Sequence, residues 1–302
     1  MPTGVVNDSH CHFFSQQFFE TLAAEPEARR TCNSAGDLLR KLEWDPPGSA
    51  AELADRWVAE LDASGVSCAA IMSSVPGDEA SVALAVKRHP KRLVGMGMLD
   101  ITQADAPTRA LRALTEYRLR CLCLFPAMHG YALDDERVAD LFHIAAEHRA
   151  MVFVHCGVLS VGVRKKLGLR HCFDARLGNP LALVPVASKF PEVPVIVPHF
   201  GGGFLRETLM AGDVCSSLHV DTSSSNAWTK YIPGLQLADV FRQALEVFSA
   251  DRLLFGSDSS FFPRGWQRPI YEHQLSVMDE LELDPKTQER ILGGNFTRLF
   301  GP

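Results

Sequence analysis

The sequence predicts an α/β protein built as a closed (β/α)8 barrel of the TIM type, and three observations carry that expectation. Eight short apolar runs recur along the chain, amphipathic stretches separate them, and ligand-type side chains stand where four of the runs end. Alternation of this kind is how parallel strands covered by helices read in sequence. The 302 residues leave room for the about 250 that such a barrel occupies, plus insertions. The competing architecture is an open doubly wound sheet, because periodicity alone does not reveal closure.

Taken in order, strands are expected at 5–7, 68–72, 93–98, 119–125, 151–154, 195–197, 218–221 and 253–255. The first intervening helix, 51–64, repeats Leu53, Trp57 and Leu61 every four residues and meets Gly65, which suits a helix C-terminal cap. Further helical patterns fall near 78–89, 105–117, 134–148, 180–190, 235–248 and 269–281. Two connections are long, 14–50 after the first strand and 157–179 after the fifth. Long loops in compact domains are commonly functional, and both would lie on the active-site face of a barrel. Pro46-Pro47-Gly48 marks a stop before the helix at 51 and not a linker; with no internal repeat, one domain over 1–302 is expected.

Composition narrows the function. With 46% hydrophobic and 22% charged residues the chain reads as an ordinary soluble globular protein. A net charge of −6 and the lack of a Lys/Arg-rich block argue against nucleic acid as a partner. The start has neither the basic residues nor the apolar stretch of a signal peptide, and no window approaches the ~18 apolar residues of a membrane span. The expected setting is cytoplasmic, with a small-molecule substrate and room for a homo-oligomer. The 8 cysteines are scattered, form no C-x-x-C pair, and several lie in apolar runs, so reduced core thiols are expected.

The chemistry concentrates at strand ends. Asp8-Ser9-His10-Cys11-His12 follows Val5-Val6, and residues two apart in an extended segment share a face, about 6 to 7 Å from each other. His10 and His12 can therefore present two imidazoles to one ion, while Cys11 faces away. The fifth run ends in His155, the sixth in His199 and the eighth in Asp258. Each alone could bond backbone or cap a helix. Together, at the C-terminal ends of barrel strands, they converge as imidazole and carboxylate ligands of a divalent ion.

These motifs, D-x-H-x-H at 8–12, V-H-C-G at 154–157, P-H-F-G-G-G at 198–203, G-S-D at 256–258 and I-L-G-G-N-F-T-R-L-F at 291–300, resemble the amidohydrolase superfamily over nearly the whole chain. Within it the likeness is to the amidohydrolase-related branch that includes aminocarboxymuconate semialdehyde decarboxylase. The resemblance implies a barrel of the metal-dependent hydrolase type in which His10, His12, His155 and Asp258 bind one metal and His199 acts beside it as acid/base or polarising group. Binuclear members carry a bridging carboxylated lysine at the end of the fourth strand; Cys123-Leu124-Phe125-Pro126 stands there, so one ion is expected. Zinc is the expected ion and manganese the alternative.

Other candidates are weaker. Arg264 could fork onto a substrate carboxylate, with Arg164, Arg170 and Arg176 as lesser choices. His129 and His219 lie near the ends of the fourth and seventh strands. Gly201 to Gly203 could offer N–H groups to an anion or give turning space after His199. Gly95 and Gly97 form no dinucleotide motif, because Asp100 takes the third position, and Ser257 lacks the G-x-S-x-G of a nucleophile elbow. The expected reaction is hydrolysis of a lactone, ester or amide of a small carboxylated substrate by a metal-activated water, Asp258 taking the proton and His199 stabilising the oxyanion. Decarboxylation of an aromatic or muconate-type acid uses the same ligands and is the alternative. A metal-free, non-catalytic binding barrel is the rival of another class.

Overall fold

The computed structural model describes residues 4–170 and 173–301. Eight strands follow one another in chain order around one sheet: β1 (Asn7–Phe13), β2 (Cys68–Ser73), β3 (Leu93–Leu99), β4 (Cys121–Leu124), β5 (Met151–Val154), β6 (Val195–Val197), β7 (Leu218–Asp221) and β8 (Leu253–Leu254). Each pairs with the next in parallel. The sheet comes round on itself: a parallel bridge joins Cys11 to Ser259. Ser9 N donates to Phe255 O (2.9 Å), Asp258 N to His10 O (2.9 Å) and His12 N to Ser259 O (2.7 Å) along the same seam. The expected TIM-type barrel is what the chain forms.

Alternation along the strands builds two cores. Cys68, Ala70, Met72, Met96, Met98, Cys121, Cys123, Phe153 and Ile196 fill the barrel interior. Their neighbours Ala69, Ile71, Leu122, Leu124, Val152, Val154, Val195 and Val197 face outward against helical residues such as Leu53, Trp57, Leu61, Leu141 and Phe142. Strands buried on both faces give continuous apolar runs, which is why they are readable in sequence. Gly95 and Gly97 permit close approach of the outer layer: a Cβ on Gly95 would collide with Leu119, and one on Gly97 would press Glu79 at 3.3 Å. The seven cysteines among the described residues are free and buried, as expected of core thiols.

The chain's helices are α1 (Gln16–Ala24), α2 (Ala35–Leu42), α3 (Ala50–Ser64), α4 (Glu79–Arg88), α5 (Ala106–Thr115), α6 (Pro126–His129), α7 (Glu136–Glu147), α8 (Gly162–Leu167), α9 (Val184–Lys189), α10 (Leu205–Val214), α11 (Leu237–Phe248), α12 (Arg268–Glu280), α13 (Pro285–Glu289) and α14 (Asn295–Phe300). α3 starts on a Ser49/Glu52 capping box and ends on Gly65 at φ 71°, the glycine cap expected there. The 180–190 pattern resolves into a 3-10 turn, Pro180–Leu183, followed by α9.

Strand boundaries depart from expectation at β1, β4 and β8; β4 keeps only Cys121–Leu124 of the expected 119–125. β1 begins where it was expected to end, because Asp8, Ser9 and His10 are polar yet fully buried, their partners supplied by residues far along the chain. β8 keeps two residues, since the backbone turns into the left-handed region at Asp258, φ 60°. The two long connections are not plain loops. Phe18, Phe19, Leu22, Leu38, Leu39, Leu42 and Trp44 from the first pack with Val163, Leu167 and Leu169 from the second. Arg164 reaches Glu25 at 2.7 Å and Arg170 reaches Glu27 at 3.0 Å, tying the two insertions together. No helix among the described residues is long and apolar enough to cross a membrane.

His219 lies on β7 opposite Ile196, inside the barrel, with Nδ1 donating to Ser217 O at 2.9 Å. Burial, reinforced by Arg298 and Arg252, lowers its pKa from 6.5 to about 4. A histidine depressed in the fold contributes stability that is complete above pH 6.5 and lost as pH falls toward 4. His219→Asn keeps a donor for Ser217 and removes the titration. The wild type is therefore expected to lose about 3 kcal/mol more than the variant between pH 7 and 4, read by urea unfolding at each pH; parallel pH profiles would contradict this.

Candidate active site

The barrel gathers its polar side chains at the C-terminal ends of its strands. His10 and His12 project from one face of β1 with ring centroids 5.4 Å apart, and Cys11 between them packs into the outer core. Across the seam, Asp258 Oδ1 stands 3.4 Å from His12 Nε2 and 3.8 Å from His10 Nε2. Two ligands each about 2.0–2.2 Å from one ion at a tetrahedral angle lie about 3.3–3.6 Å apart. The donor set thus fits a divalent ion: His10, His12 and Asp258 form a group whose ligand atoms all lie within 4.8 Å of one another.

The other ring nitrogens are already spoken for. His12 Nδ1 meets Ser74 Oγ at 2.9 Å, and His10 Nδ1 meets Asp221 Oδ2 at 2.9 Å. Both Nε2 atoms are thereby turned toward Asp258, the arrangement that orients metal-binding imidazoles. His155 stands beside this group without joining it at that distance; its ring lies 5.4 Å from the His199 ring. Its Nδ1 is buried with no hydrogen-bond partner among the described residues, an unsatisfied donor or acceptor that an ion or substrate would relieve.

Electrostatics separate the histidines. Burial lowers the His10 pKa, but the Asp221 carboxylate outweighs it and carries the value up to about 8. Burial, with His199 and His10 nearby, drops His155 to about 3, and burial also lowers His199. Burial opposes ionisation of Asp258, yet His12, His10 and His199 hold its carboxyl well below the usual range. At neutral pH the site therefore contains neutral His155 and His199 facing an ionised Asp258.

Residues unremarked in sequence hold this arrangement. Asp221, fully buried at the end of β7, accepts from His10 Nδ1, from His199 N at 3.0 Å and from Ser223 N at 2.9 Å. Ser223 Oγ bonds Asp221 Oδ1 and lies 2.8 Å from His199 Nδ1. His199 and Phe200 sit at φ 55° and 53°, a left-handed turn that needs such fixing. Asp8, the first residue of D-x-H-x-H, points away from the ligand group: it accepts from His10 N, Ser257 N and Trp266 Nε1 and so clamps β1 to the end of β8. The sequence signal for Asp221 is its place as the polar last residue of the seventh apolar run, two residues beyond His219 and on the same face.

Above the histidines opens a cavity of about 600 Å³ walled by Phe14, Phe18, Trp44, Phe125, Trp228 and Phe261. Its charged lining residues are Asp258 and three cations, Lys166, Lys230 and Arg264, in a chain of net charge −6. Arg264 Nη2 donates to Ser260 Oγ (2.7 Å) and Asp258 O (3.2 Å) while the guanidinium lies 4.4 Å from the Phe261 ring. The lesser arginines are not available: Arg164 and Arg170 pair with Glu25 and Glu27, and Arg176 with Asp174. His219 sits deeper in the barrel and His129 packs against Tyr131, so neither lines the cavity. The glycines after His199 serve tight packing, since a Cβ on Gly201 would collide with Thr208 and one on Gly202 would press Cys156 O at 3.2 Å. Ser257 is buried and bonded to Ser259 Oγ at 2.6 Å, out of reach of substrate.

A family model described as Amidohydrolase matches residues 7–301. The chain belongs to the amidohydrolase family. No curated protein matches the sequence. Among solved structures, it is similar to the 5-carboxyvanillate decarboxylase of Sphingomonas paucimobilis at 14% identity and TM-score 0.67, over 99% of each chain. It is similar to the 5-carboxyvanillate decarboxylase of Novosphingobium aromaticivorans, complexed with manganese and 4-hydroxy-3-methoxy-5-nitrobenzoic acid, at 15% identity and TM-score 0.66, over 100% of this chain and 97% of that one. A probable 2-pyrone-4,6-dicarboxylic acid hydrolase of Acinetobacter baumannii with citric acid bound aligns at 16% identity and TM-score 0.64, over 98% of this chain and 99% of that one. Identities this low establish a shared fold.

The clamp around Asp8 yields a test of the seam. Trp266→Phe removes the indole N–H that donates to the buried Asp8 Oδ2. The expected cost is about 1–3 kcal/mol of unfolding free energy by denaturant titration, with the fold retained. A loss within about 0.5 kcal/mol, the range of ordinary surface substitutions, would mean the clamp does not hold the seam.

Proposed function

We infer that this amidohydrolase is a metal-dependent, non-oxidative decarboxylase of a small aromatic acid, in the branch resembling aminocarboxymuconate semialdehyde decarboxylase. The observation that carries the reading is the pairing of a His10, His12 and Asp258 ligand group with an aromatic-walled cavity whose remaining charges are all positive. A planar anion suits such a cavity: its ring stacks on the walls and its carboxylate is drawn to the cations. Support comes also from the two 5-carboxyvanillate decarboxylases that align along nearly the whole chain.

His10, His12, His155 and Asp258 would hold a single ion, and His155 Nδ1 is an open nitrogen suited to completing the set. Imidazole and carboxylate accept zinc or manganese, and the manganese of the N. aromaticivorans enzyme makes that ion the first to supply. When bound, a divalent ion supplies Lewis-acid polarisation of oxygen groups placed on it. The chain's own residues do the rest. Arg264 holds a substrate carboxylate, and the aromatic walls orient the ring and exclude water. Decarboxylation breaks the bond from ring carbon to carboxylate, releases CO2 and delivers one proton to that carbon. His199, neutral with its one proton on Nδ1 toward Ser223, leaves Nε2 bare to take up a proton from solvent and pass it to that carbon; Asp258 is ionised and takes up a proton only from an acidic substrate group.

The hydrolytic reading rests on the same ligands and is favoured by the aligned 2-pyrone-4,6-dicarboxylic acid hydrolase. The experiment supplies Mn2+ or Zn2+ to the purified protein and presents 5-carboxyvanillate and 2-pyrone-4,6-dicarboxylate in parallel, reading CO2 release and ring opening. CO2 release, reduced about 10²- to 10⁴-fold in His199→Asn at unchanged metal content, is the expected result. Ring opening alone would transfer the assignment to hydrolysis.

A further inference from the structure

We propose that Asp221 is the positioning residue that fixes His10 as a metal ligand, by holding its ring in the tautomer with the proton on Nδ1. This rests on the reading of His10 as a ligand and goes beyond it, since Asp221 lies outside every motif that reading uses.

The geometry is specific about which oxygen does what. Asp221 Oδ1 is pinned by three donors: His199 N at 3.0 Å, Ser223 N at 2.9 Å and the Ser223 hydroxyl. Oδ2 is left to face His10 Nδ1 at 2.9 Å, inside a wholly buried pair. A carboxylate has no proton to give, so Nδ1 must donate; in the neutral ring Nε2 then keeps its lone pair, and it is Nε2 that faces Asp258. Asp221 also accepts from the backbone of His199, so a single carboxylate orients one ligand imidazole and anchors the left-handed turn carrying the acid/base imidazole. His12, whose Nδ1 meets only the Ser74 hydroxyl, has no comparable constraint, because a hydroxyl can donate as readily as accept.

An asparagine at 221 has the same shape and the wrong chemistry. The three donors around Oδ1 keep the amide carbonyl on their side, and its NH2 then points at His10 Nδ1, forcing the ring proton onto Nε2. The test measures Zn2+ affinity by competition with a chelator in wild type, Asp221→Asn and Ser223→Ala, with thermal unfolding as the fold control. Asp221→Asn is expected to bind Zn2+ about 10- to 100-fold more weakly. Ser223→Ala, which removes a hydroxyl 3.0 Å from His10 Nδ1 but leaves the Asp221 carboxylate against that nitrogen, is expected to lose clearly less affinity than Asp221→Asn. Equal Zn2+ affinity in Asp221→Asn, or an equal loss in both variants, would overturn the role of Asp221 and leave the metal reading standing. A wild type that binds no Zn2+ would overturn the metal reading and this inference with it. If Asp221→Asn does not fold, 15N NMR of the metal-free wild type decides, recorded well above pH 8 where the His10 ring is neutral and with its signals assigned by their loss in His10→Gln: the single proton on Nδ1 supports the proposal and the single proton on Nε2 overturns it.

Discussion

The site depends on one seam, where the last strand of the barrel meets the first. β1 carries His10 and His12, Asp258 follows β8, and the hydrogen bonds that bring Ser9 to Phe255, His10 to Asp258 and His12 to Ser259 set these side chains against one another. Residues almost 250 positions apart reach ligand distance only because the sheet closes. An open sheet of the same strands would leave β1 and β8 on opposite edges. Asp8 secures the closure from beneath by accepting from both sides of the seam and from Trp266.

Closing the sheet buries polar groups, and the chain answers with carboxylates and hydroxyls in matched positions. Asp8 and Asp221 sit at zero exposure on either side of His10, one bonding its backbone N–H and the other its ring. Buried acids without donors would be costly; here each collects three or more. Burial still raises the Asp8 pKa, whereas the His10 ring beside Asp221 lowers that of its partner carboxyl. The two insertions wall the cavity, their shared apolar core holding Trp44 stacked on Phe261 at 3.7 Å along its lining.

Much of this was legible in sequence for a physical reason. Strands buried on both faces must be apolar throughout, so runs such as 151–154, 195–197 and 218–221 announced themselves at their true limits. The strand-end positions of His155, His199 and Asp258, and the shared face of His10 and His12, followed from period two. What escaped was whatever depended on distant partners. β1 reads short in sequence because Asn7 to His10 are polar and are buried by partners far along the chain, Asp221, Ser257 and Trp266 among them. Asp221 and His219 are both inward residues of one strand, and nothing local in the sequence says which lies at the mouth of the barrel and which lies deeper. The helices of the insertions were hidden because they pack on each other and not on the barrel's repeating pattern.

The seam is proposed to hold a single metal ion. Elemental analysis of protein purified without added metal or chelator tests it most directly, with His155→Ala alongside. About one equivalent of manganese or zinc per chain, lost in the variant, is expected. Two equivalents, or none in a protein whose activity is indifferent to chelator, would contradict it.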